Sequence, residues 1–315
     1  MAAKKQEEMD GAQALIKTLD ELGVEYVFGY SGGAALPIFD ALETVKTNMK
    51  FVLTRHEQGA CHMADGYARA TGKPAVVLVT SGPGAGNTIT GIMTAQMDSV
   101  PMIIITGQQV TWMLGKDAFQ EADIFGITIP VVKHNYLVRE TNELPQIARE
   151  AYHIATTGRP GPVLIDVPKD VSQSPFTGDM DAEMDLPGYD TSAYYDIDNT
   201  SVEEAARLIN LAKKPVILAG HGTMIAGAEK ELMELAERMG SPVTSTLLGK
   251  GVFPESHPLS LGMLGMHGTA YANKAICECD LILNIGSTCI RRNTRSPTRS
   301  RVVFACSRCS TRFLN

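Results

Sequence analysis

Short, almost wholly apolar runs constrain this chain most. Ala75-Val76-Val77-Leu78-Val79, residues 101–106 (PMIIIT) and Val163-Leu164-Ile165-Asp166-Val167 lack the alternation of a half-exposed strand. Runs like these read as strands buried on both faces, the pattern of a parallel sheet covered by helices. None approaches the length needed to span a bilayer.

Helical periodicity lies between the runs. Residues 11–22 place Ala14, Leu15, Leu19 and Leu22 on one face, and Gly23 ends that helix before a strand at residues 24–28. The glycine-rich turn Gly29-Tyr30-Ser31-Gly32-Gly33 follows, then a helix at residues 36–42. Strand, glycine turn and helix make a βαβ opening. The turn is not G-x-G-x-x-G, so it does not read as a dinucleotide fingerprint. Further helices are predicted at about residues 87–97 and at 144–156, with a strand over 131–138 that carries Lys133 and His134. Residues 1–172 are therefore expected to form a doubly wound α/β domain with a mostly parallel sheet. Residues 173–200, acidic and rich in Asp, Gly, Pro, Ser and Tyr, read as a linker. A second, incomplete α/β domain is expected over residues 201–286. Its helices are predicted at 202–211, 226–239 and 269–277, and its strands at 215–218, 242–246 and 281–285.

Glu57 stands out for its position. Phe51-Val52-Leu53 reads as a strand, Thr54-Arg55-His56 as a polar turn, and a helix opens at Glu57 with Ala60, Met63, Ala64, Tyr67 and Ala68 at helical spacing. In open α/β sheets, ligands bind where strands end and helices begin. An acid there also suits the helix dipole with no ligand at all. A second loop, Thr80-Ser81-Gly82-Pro83-Gly84-Ala85-Gly86-Asn87, has three glycines that would let backbone approach a ligand closely, or would simply make a tight connection. The polar, aromatic segment at residues 115–126 holds Phe119 and Gln120. In the second domain, Gly220-x-Gly222 and Gly265-Met266-His267-Gly268 are weak phosphate-loop signals.

Charge and cysteine content remove other classes. A net charge of −7 argues against nucleic-acid binding by the whole chain. The start, MAAKKQEEMD, lacks the apolar core of a signal peptide. Six scattered cysteines do not suggest a disulfide framework, so a cytoplasmic setting is expected, with no membrane partner.

Several motifs together carry a resemblance. Tyr30 with Gly32-Gly33, Arg55-His56-Glu57-Gln58-Gly59, Gly66-Tyr67-Ala68-Arg69-Ala70-Thr71-Gly72 and Thr80-Ser81-Gly82-Pro83-Gly84 resemble the pyrimidine-binding domain of thiamine-diphosphate enzymes. Asp117-Ala118-Phe119-Gln120-Glu121, Lys133-His134-Asn135, Arg159-Pro160-Gly161-Pro162 and the run from Leu261 to Thr269 look like the acetolactate synthase (acetohydroxyacid synthase) large subunit. The resemblance spans residues from about 10 to 286. It implies a decarboxylating condensation of two pyruvates, or of pyruvate with 2-oxobutyrate, in branched-chain amino acid synthesis. It implies thiamine diphosphate, FAD and Mg²⁺ as cofactors, a homodimer or larger assembly, and a possible regulatory small subunit. By the same matching, Glu57 hydrogen-bonds N1′ of the aminopyrimidine, a task suited to a partly buried carboxyl of raised pKa. Tyr30, Pro83, Asn87 and Gln120 are implied to line the cofactor pocket, and Phe119 and Lys133 the substrate channel. Arg159, Gly220, Gly222, Thr246, Leu247, His267, Gly268 and Thr269 are implied FAD contacts. Ser31 and Lys116 depart from the family pattern.

The larger departure is length. The resembling family's chains are roughly twice as long and carry a third domain, with a Gly-Asp-Gly motif that binds the diphosphate through Mg²⁺. Here the Gly-Asp pair is Gly178-Asp179, followed by Met180, and the magnesium ligands are absent. After Gly286 the chain changes character: residues 287–315 hold seven arginines and no lysine or acid, which leaves −14 on the rest. Ile290-Arg291-Arg292-Asn293 can be encoded as ATT CGA CGA AAC, which one base later reads Phe-Asp-Glu. Residues 287–315 are therefore expected to be an out-of-frame, non-family tail on a truncated chain. A zinc site from Cys277, Cys279, Cys306 and Cys309 is the rival, weakened because the first pair falls on a predicted helix. The truncated chain alone is expected to be inactive. The alternatives are a non-catalytic fragment that dimerises with a full-length partner, or another thiamine-diphosphate 2-keto-acid decarboxylase or oxidase.

Overall fold

The structure, a computed structural model, describes residues 9–189 and 199–287 and the backbone of two later strands, Arg301–Ala305 and Phe313–Leu314. The chain divides into two compact units, Met1–Tyr189 and Asp190–Asn315.

The first unit alternates as its apolar runs require. In order it has α1 (Gly11–Glu21), β1 (Tyr26–Tyr30), α2 (Leu36–Thr44), β2 (Lys50–Leu53), α3 (Glu57–Thr71), β3 (Ala75–Val79), α4 (Pro83–Gly86), α5 (Ile89–Asp98) and β4 (Met102–Gln108). Then come α6 (Ile124–Thr128), β5 (His134–Leu137), α7 (Leu144–Thr156), β6 (Pro162–Pro168) and α8 (Lys169–Gln173). The strands form one parallel sheet in the order β2-β1-β3-β4-β6-β5.

Side-chain alternation splits the core into two layers. Val76 and Leu78 of β3 pack with Leu15 and Leu19 of α1 and Ala148 and Ala151 of α7, whereas Val77 and Val79 pack with Ala60 and Ala64 of α3 and Ile92 of α5. Every residue of β3, β4 and β6 is buried, which is why these strands show no polar face. Asp10 and Gln13 cap α1 reciprocally.

The second unit contains α9 (Asn199–Leu211), β7 (Pro215–Ala219), α10 (His221–Ile225), α11 (Glu229–Met239), β8 (Val243–Ser245), β9 (Ser260–Met263), α12 (Ala270–Glu278), β10 (Leu281–Ile285), β11 (Arg301–Ala305) and β12 (Phe313–Leu314). The sheet order is β12-β11-β10-β7-β8-β9, parallel except for β12 against β11.

Some bounds differ from the sequence expectation. The first strand runs to Tyr30, so Gly29 is extended; a Cβ there would overlap the Leu78 carbonyl of the next strand. The helix expected from residue 87 begins earlier, as the short α4, and α5 follows. Val131 and Val132 are not in β5, because their N–H groups bond back to the Thr128 carbonyl at the end of α6. The helix expected from residue 226 starts at Glu229, after Gly227 at φ 63°. β9, missed in the sequence, is half-buried and holds Gly262 at φ 69°. Residues 173–189, read from composition as linker, stay on the first unit: Phe176 N–H donates to the Met9 carbonyl, and Leu186 and Tyr189 pack against its core. Most of the basic tail, with Cys306 and Cys309, lies outside the described residues, as do residues 190–198 of the linker.

Candidate functional site

The first sheet reverses its winding between β1 and β3. From β1 the chain moves outward to β2, then crosses back to β3 and continues to β4. In sheets of this kind the loops at the carboxyl ends of two such strands diverge, and ligands usually bind between them. The loops after β1, β2 and β3 all meet there.

Glu57 reaches this end of the sheet from the start of α3. The turn before it is fixed to β1: Thr54 N–H and Oγ1 both donate to the Gly29 carbonyl, at 2.8 and 3.1 Å. His56 caps the helix, its Nδ1 accepting from Gln58 N–H at 3.1 Å. Glu57 is 8% exposed. A carboxylate so far out of water needs a partner. It has one in Asn87, whose Nδ2 donates to Oε2 at 3.0 Å. The helix N-terminus adds a favourable field. One turn on, burial, aided by the Glu57 charge, pushes the Cys61 thiol up to about 12, so it stays protonated.

The loop after β3 closes on the same carboxylate. A Cβ on Gly84 would stand 3.3 Å from Glu57 Oε1 and 2.8 Å from Thr80 Cγ2, so this position needs a residue without a side chain. Gly82 sits at φ 56°, and a Cβ there would overlap the Gln120 carbonyl. Two independent constraints therefore call for glycine. Pro83 opens α4 on the exposed side of the turn. Thr80 Oγ1 accepts from Ala34 N–H at 3.3 Å and ties this loop to the one after β1. Tyr30, the last residue of β1, is 43% exposed.

The Phe119–Gln120 segment lies over Gly82. Asp117 and Gln120 hold positive φ, 53° and 56°, which non-glycine residues rarely adopt. The Glu121 carboxylate stabilises the bend by accepting from the Ala118 N–H at 2.8 Å and from the Gly115 N–H, and these bonds lower its pKa. Phe119 exposes its ring almost fully, while its carbonyl accepts from Gln109 Nε2 at 2.6 Å.

Glu57, Asn87, the Pro83 turn and the Gln120 backbone thus converge, with Tyr30 at the end of the adjoining strand. Lys133 and Arg159 lie at the other edge, before β5 and β6. Lys133 Nζ donates to the carbonyls of Ile154 and Thr157 and to Tyr189 Oη, the latter two at 2.9 and 3.2 Å. Arg159 donates to Ser99 Oγ at 2.7 Å and to the Met97 carbonyl at 3.1 Å. Each cation satisfies carbonyls at the end of a helix, α7 for Lys133 and α5 for Arg159.

In the second unit, the remaining candidates gather at the carboxyl edge of its sheet. Gly220 and Gly222 follow β7, and Gly222 N–H donates to the Gly286 carbonyl at 2.7 Å. Thr246 follows β8, its N–H bound to the Ala219 carbonyl at 3.0 Å, and Leu247 is exposed. His267 and Gly268 lead into α12, which Thr269 caps by accepting from Ala272 N–H at 3.2 Å.

Sequence reading missed Thr106, Gln108 and Asp166, polar residues buried beneath the Phe119–Gln120 segment. The signal available was a single acid inside an otherwise apolar strand. Cys277 is exposed as a free thiol, and Cys279 is buried, its Sγ donating to the Ile276 carbonyl at 3.1 Å.

The N-terminal TPP binding domain of thiamine pyrophosphate enzymes matches residues 9–127, and the central domain of the same enzymes matches residues 202–305. The second match extends past Gly286. The chain is similar to an acetolactate synthase of Arthrospira platensis, 53% identical over 283 residues, covering 88% of this chain and 48% of that protein. It is also similar to an acetolactate synthase large subunit of Lactococcus lactis, 48% identical over 296 residues, covering 94% of this chain and 51% of the other. A solved structure assigned as a thiamin diphosphate-dependent enzyme, from Mycobacterium smegmatis, superposes with a TM-score of 0.78 at 30% identity, covering 89% of this chain and 53% of that one. The chain spans about half the length of the curated relatives it matches.

Proposed function

The chain carries the N-terminal and central domains of the thiamine pyrophosphate enzymes, and from that premise we propose that it supplies the pyrimidine-binding half of an acetolactate synthase active site. The reaction joins two pyruvates, or pyruvate and 2-oxobutyrate, with loss of carbon dioxide. One observation carries the reading: a buried glutamate at the switch point, hydrogen-bonded to Asn87 and flanked by Gly84.

Thiamine diphosphate, when bound, supplies the thiazolium that stabilises carbanion character at the reacting carbon. Glu57 holds and moves a proton at N1′ of the aminopyrimidine. Asn87 orients the carboxyl, and the glycines bring backbone close enough to receive a flat ring. Gln120 and Phe119 form the near wall, with Phe119 facing the incoming keto acids, and Tyr30 bounds the pocket at β1. Lys133 is committed to the end of α7 within this chain, so its place in a substrate channel requires those bonds to be exchanged.

FAD belongs, on this reading, at the carboxyl edge of the second sheet beside Leu247, His267 and Thr269. The Gly220–Gly222 turn packs on Gly286 and offers it no open cradle. Mg²⁺ fits less well. Among the described residues no group of three or more His, Cys, Asp or Glu side chains could hold a metal ion, and no step is assigned to one in this chain. Exposed Met63 of α3 and Met93 and Met97 of α5 favour a homodimer or larger assembly. A regulatory subunit is compatible with the same reading. Among the described residues no helix is long and apolar enough to cross a membrane. The free thiols of Cys61 and Cys277 favour the cytoplasm.

The test mixes this chain with a full-length acetolactate synthase whose matching glutamate is replaced by alanine. Acetolactate formation from pyruvate should return in the mixture and vanish again with Glu57→Ala in this chain. A mixture that associates yet stays inactive refutes the reading.

A further inference from the structure

Asp166, near the carboxyl end of β6, is 1% exposed. Its oxygens have separate partners on the neighbouring strand β4. Thr106 Oγ1 donates to Oδ1 at 2.7 Å, and Gln108 Nε2 donates to Oδ2 at 2.9 Å. Gln108, 3% exposed, carries the contact outward. The same Nε2 donates to the Ala122 carbonyl at 2.9 Å, and Oε1 accepts from Gln109 N–H at 2.9 Å. Gln109 Nε2 then donates to the Phe119 carbonyl at 2.6 Å. One chain of hydrogen bonds runs from a buried carboxyl to the segment that closes over Gly82.

We propose that Asp166 is a positioning residue: through the Gln108 amide its carboxyl sets how residues 109–122 lie on the Gly82 turn, and that segment shifts when Asp166 changes protonation state.

The chemistry of the contact gives the direction. An ionised carboxylate accepts from both donors, and such charge-assisted bonds are roughly twice as strong as neutral ones. A proton on Oδ2 would face the Gln108 N–H, and two donors cannot bond. Turning the amide would then aim Oε1 at the Ala122 carbonyl and leave Gln109 N–H without its acceptor. A proton on Oδ1 reverses the Thr106 hydroxyl and leaves Gln108 a weaker, neutral acceptor. Either way the hold on the segment loosens.

Both states matter near neutrality. Burial pushes the Asp166 carboxyl up to about 7, against the pull of its two hydrogen bonds, and the charge of Asp123 adds to the rise. Asp123 is the N-cap of α6. From the other elements around Asp166, β4 presents Thr106 and Gln108, and β5 presents Leu137 in register. α8 begins with Lys169 and Asp170, and Asp170 accepts from Thr111 N–H and Oγ1 at 3.0 and 2.6 Å.

The proposal is independent of the reaction assigned above, so either can fail without the other. The chain's single tryptophan, Trp112, lies within the segment and is 64% exposed. Its fluorescence in the full chain is followed across neutral pH for the wild type, Asp166→Asn and Gln108→Met. Wild-type emission should titrate with a midpoint near 7, and both variants should lose that titration. The amide introduced by Asp166→Asn can still accept from Gln108 and donate to Thr106, so that variant should fold; should it not, Gln108→Met decides alone. A flat wild-type profile, or a titration that persists in either folded variant, overturns the proposal.

Discussion

Asn87 holds Glu57: its amide donates to the Glu57 carboxylate at 3.0 Å across 30 residues of sequence. The bond joins the loop after β3 to the first turn of α3. It is therefore both a stabilising contact and the device that aims the carboxylate.

A double-mutant cycle on Glu57→Gln and Asn87→Ala should show coupling. Hydrogen bonds to charged groups contribute about 1.5–3 kcal/mol, and a partner left buried and unsatisfied costs about the same. Urea unfolding of the wild type, both singles and the double gives the coupling energy. A value within error of zero would mean that water satisfies the carboxylate.

Gly82→Ala should destabilise the first unit by more than about 1 kcal/mol, because left-handed backbone and the Gln120 carbonyl both oppose a Cβ. It should also displace the Phe119–Gln120 segment, read as a change in Trp112 emission. Gly59→Ala is the control. Its Cβ meets nothing within 4 Å, and it should not lose stability.

Stability should depend on pH through Asp166. Its folded pKa, about 7, lies above its ordinary value of 3.8. The unfolded chain therefore releases this proton first as pH rises. The stabilisation is full below about pH 3.8, declines through the interval, and is lost above about 7. Asp166→Asn should remove this loss, leaving the variant more stable than the wild type above neutrality by on the order of a few kcal/mol. Equal slopes of stability against pH for the two chains would refute the assignment.

Lys133→Met should lower the stability of the first unit by about 1–3 kcal/mol, since the carbonyls of Ile154 and Thr157 lose a charged donor. Chemical denaturation checks this. No loss would show that Lys133 is held only loosely at the end of α7.

Where local pattern and tertiary context agree, the sequence was legible. β3, α7 and β10 have their expected bounds because apolar periodicity and flanking glycine, proline or polar residues mark both ends. The strand-to-helix junction at Glu57 was legible for the same reason. Gly29 was not, since its need to lack a Cβ comes from Leu78 on another strand. Nor was Asp166, whose partners lie on β4, a strand that becomes its neighbour only because β5 takes the sheet edge. Lys133 and Arg159 read as site residues by motif, yet their bonds to helix-end carbonyls depend on how α7 and α5 pack.

The most direct measurement is exchange of the thiamine diphosphate C2 hydrogen with solvent deuterium, followed by NMR. The sample is this chain assembled with a full-length synthase whose matching glutamate is replaced by alanine. If Glu57 moves the proton at N1′, Glu57→Gln should slow exchange by about 10²–10⁴-fold, the usual contribution of a general acid–base group. Exchange equally fast with and without the Glu57 carboxyl would contradict the account.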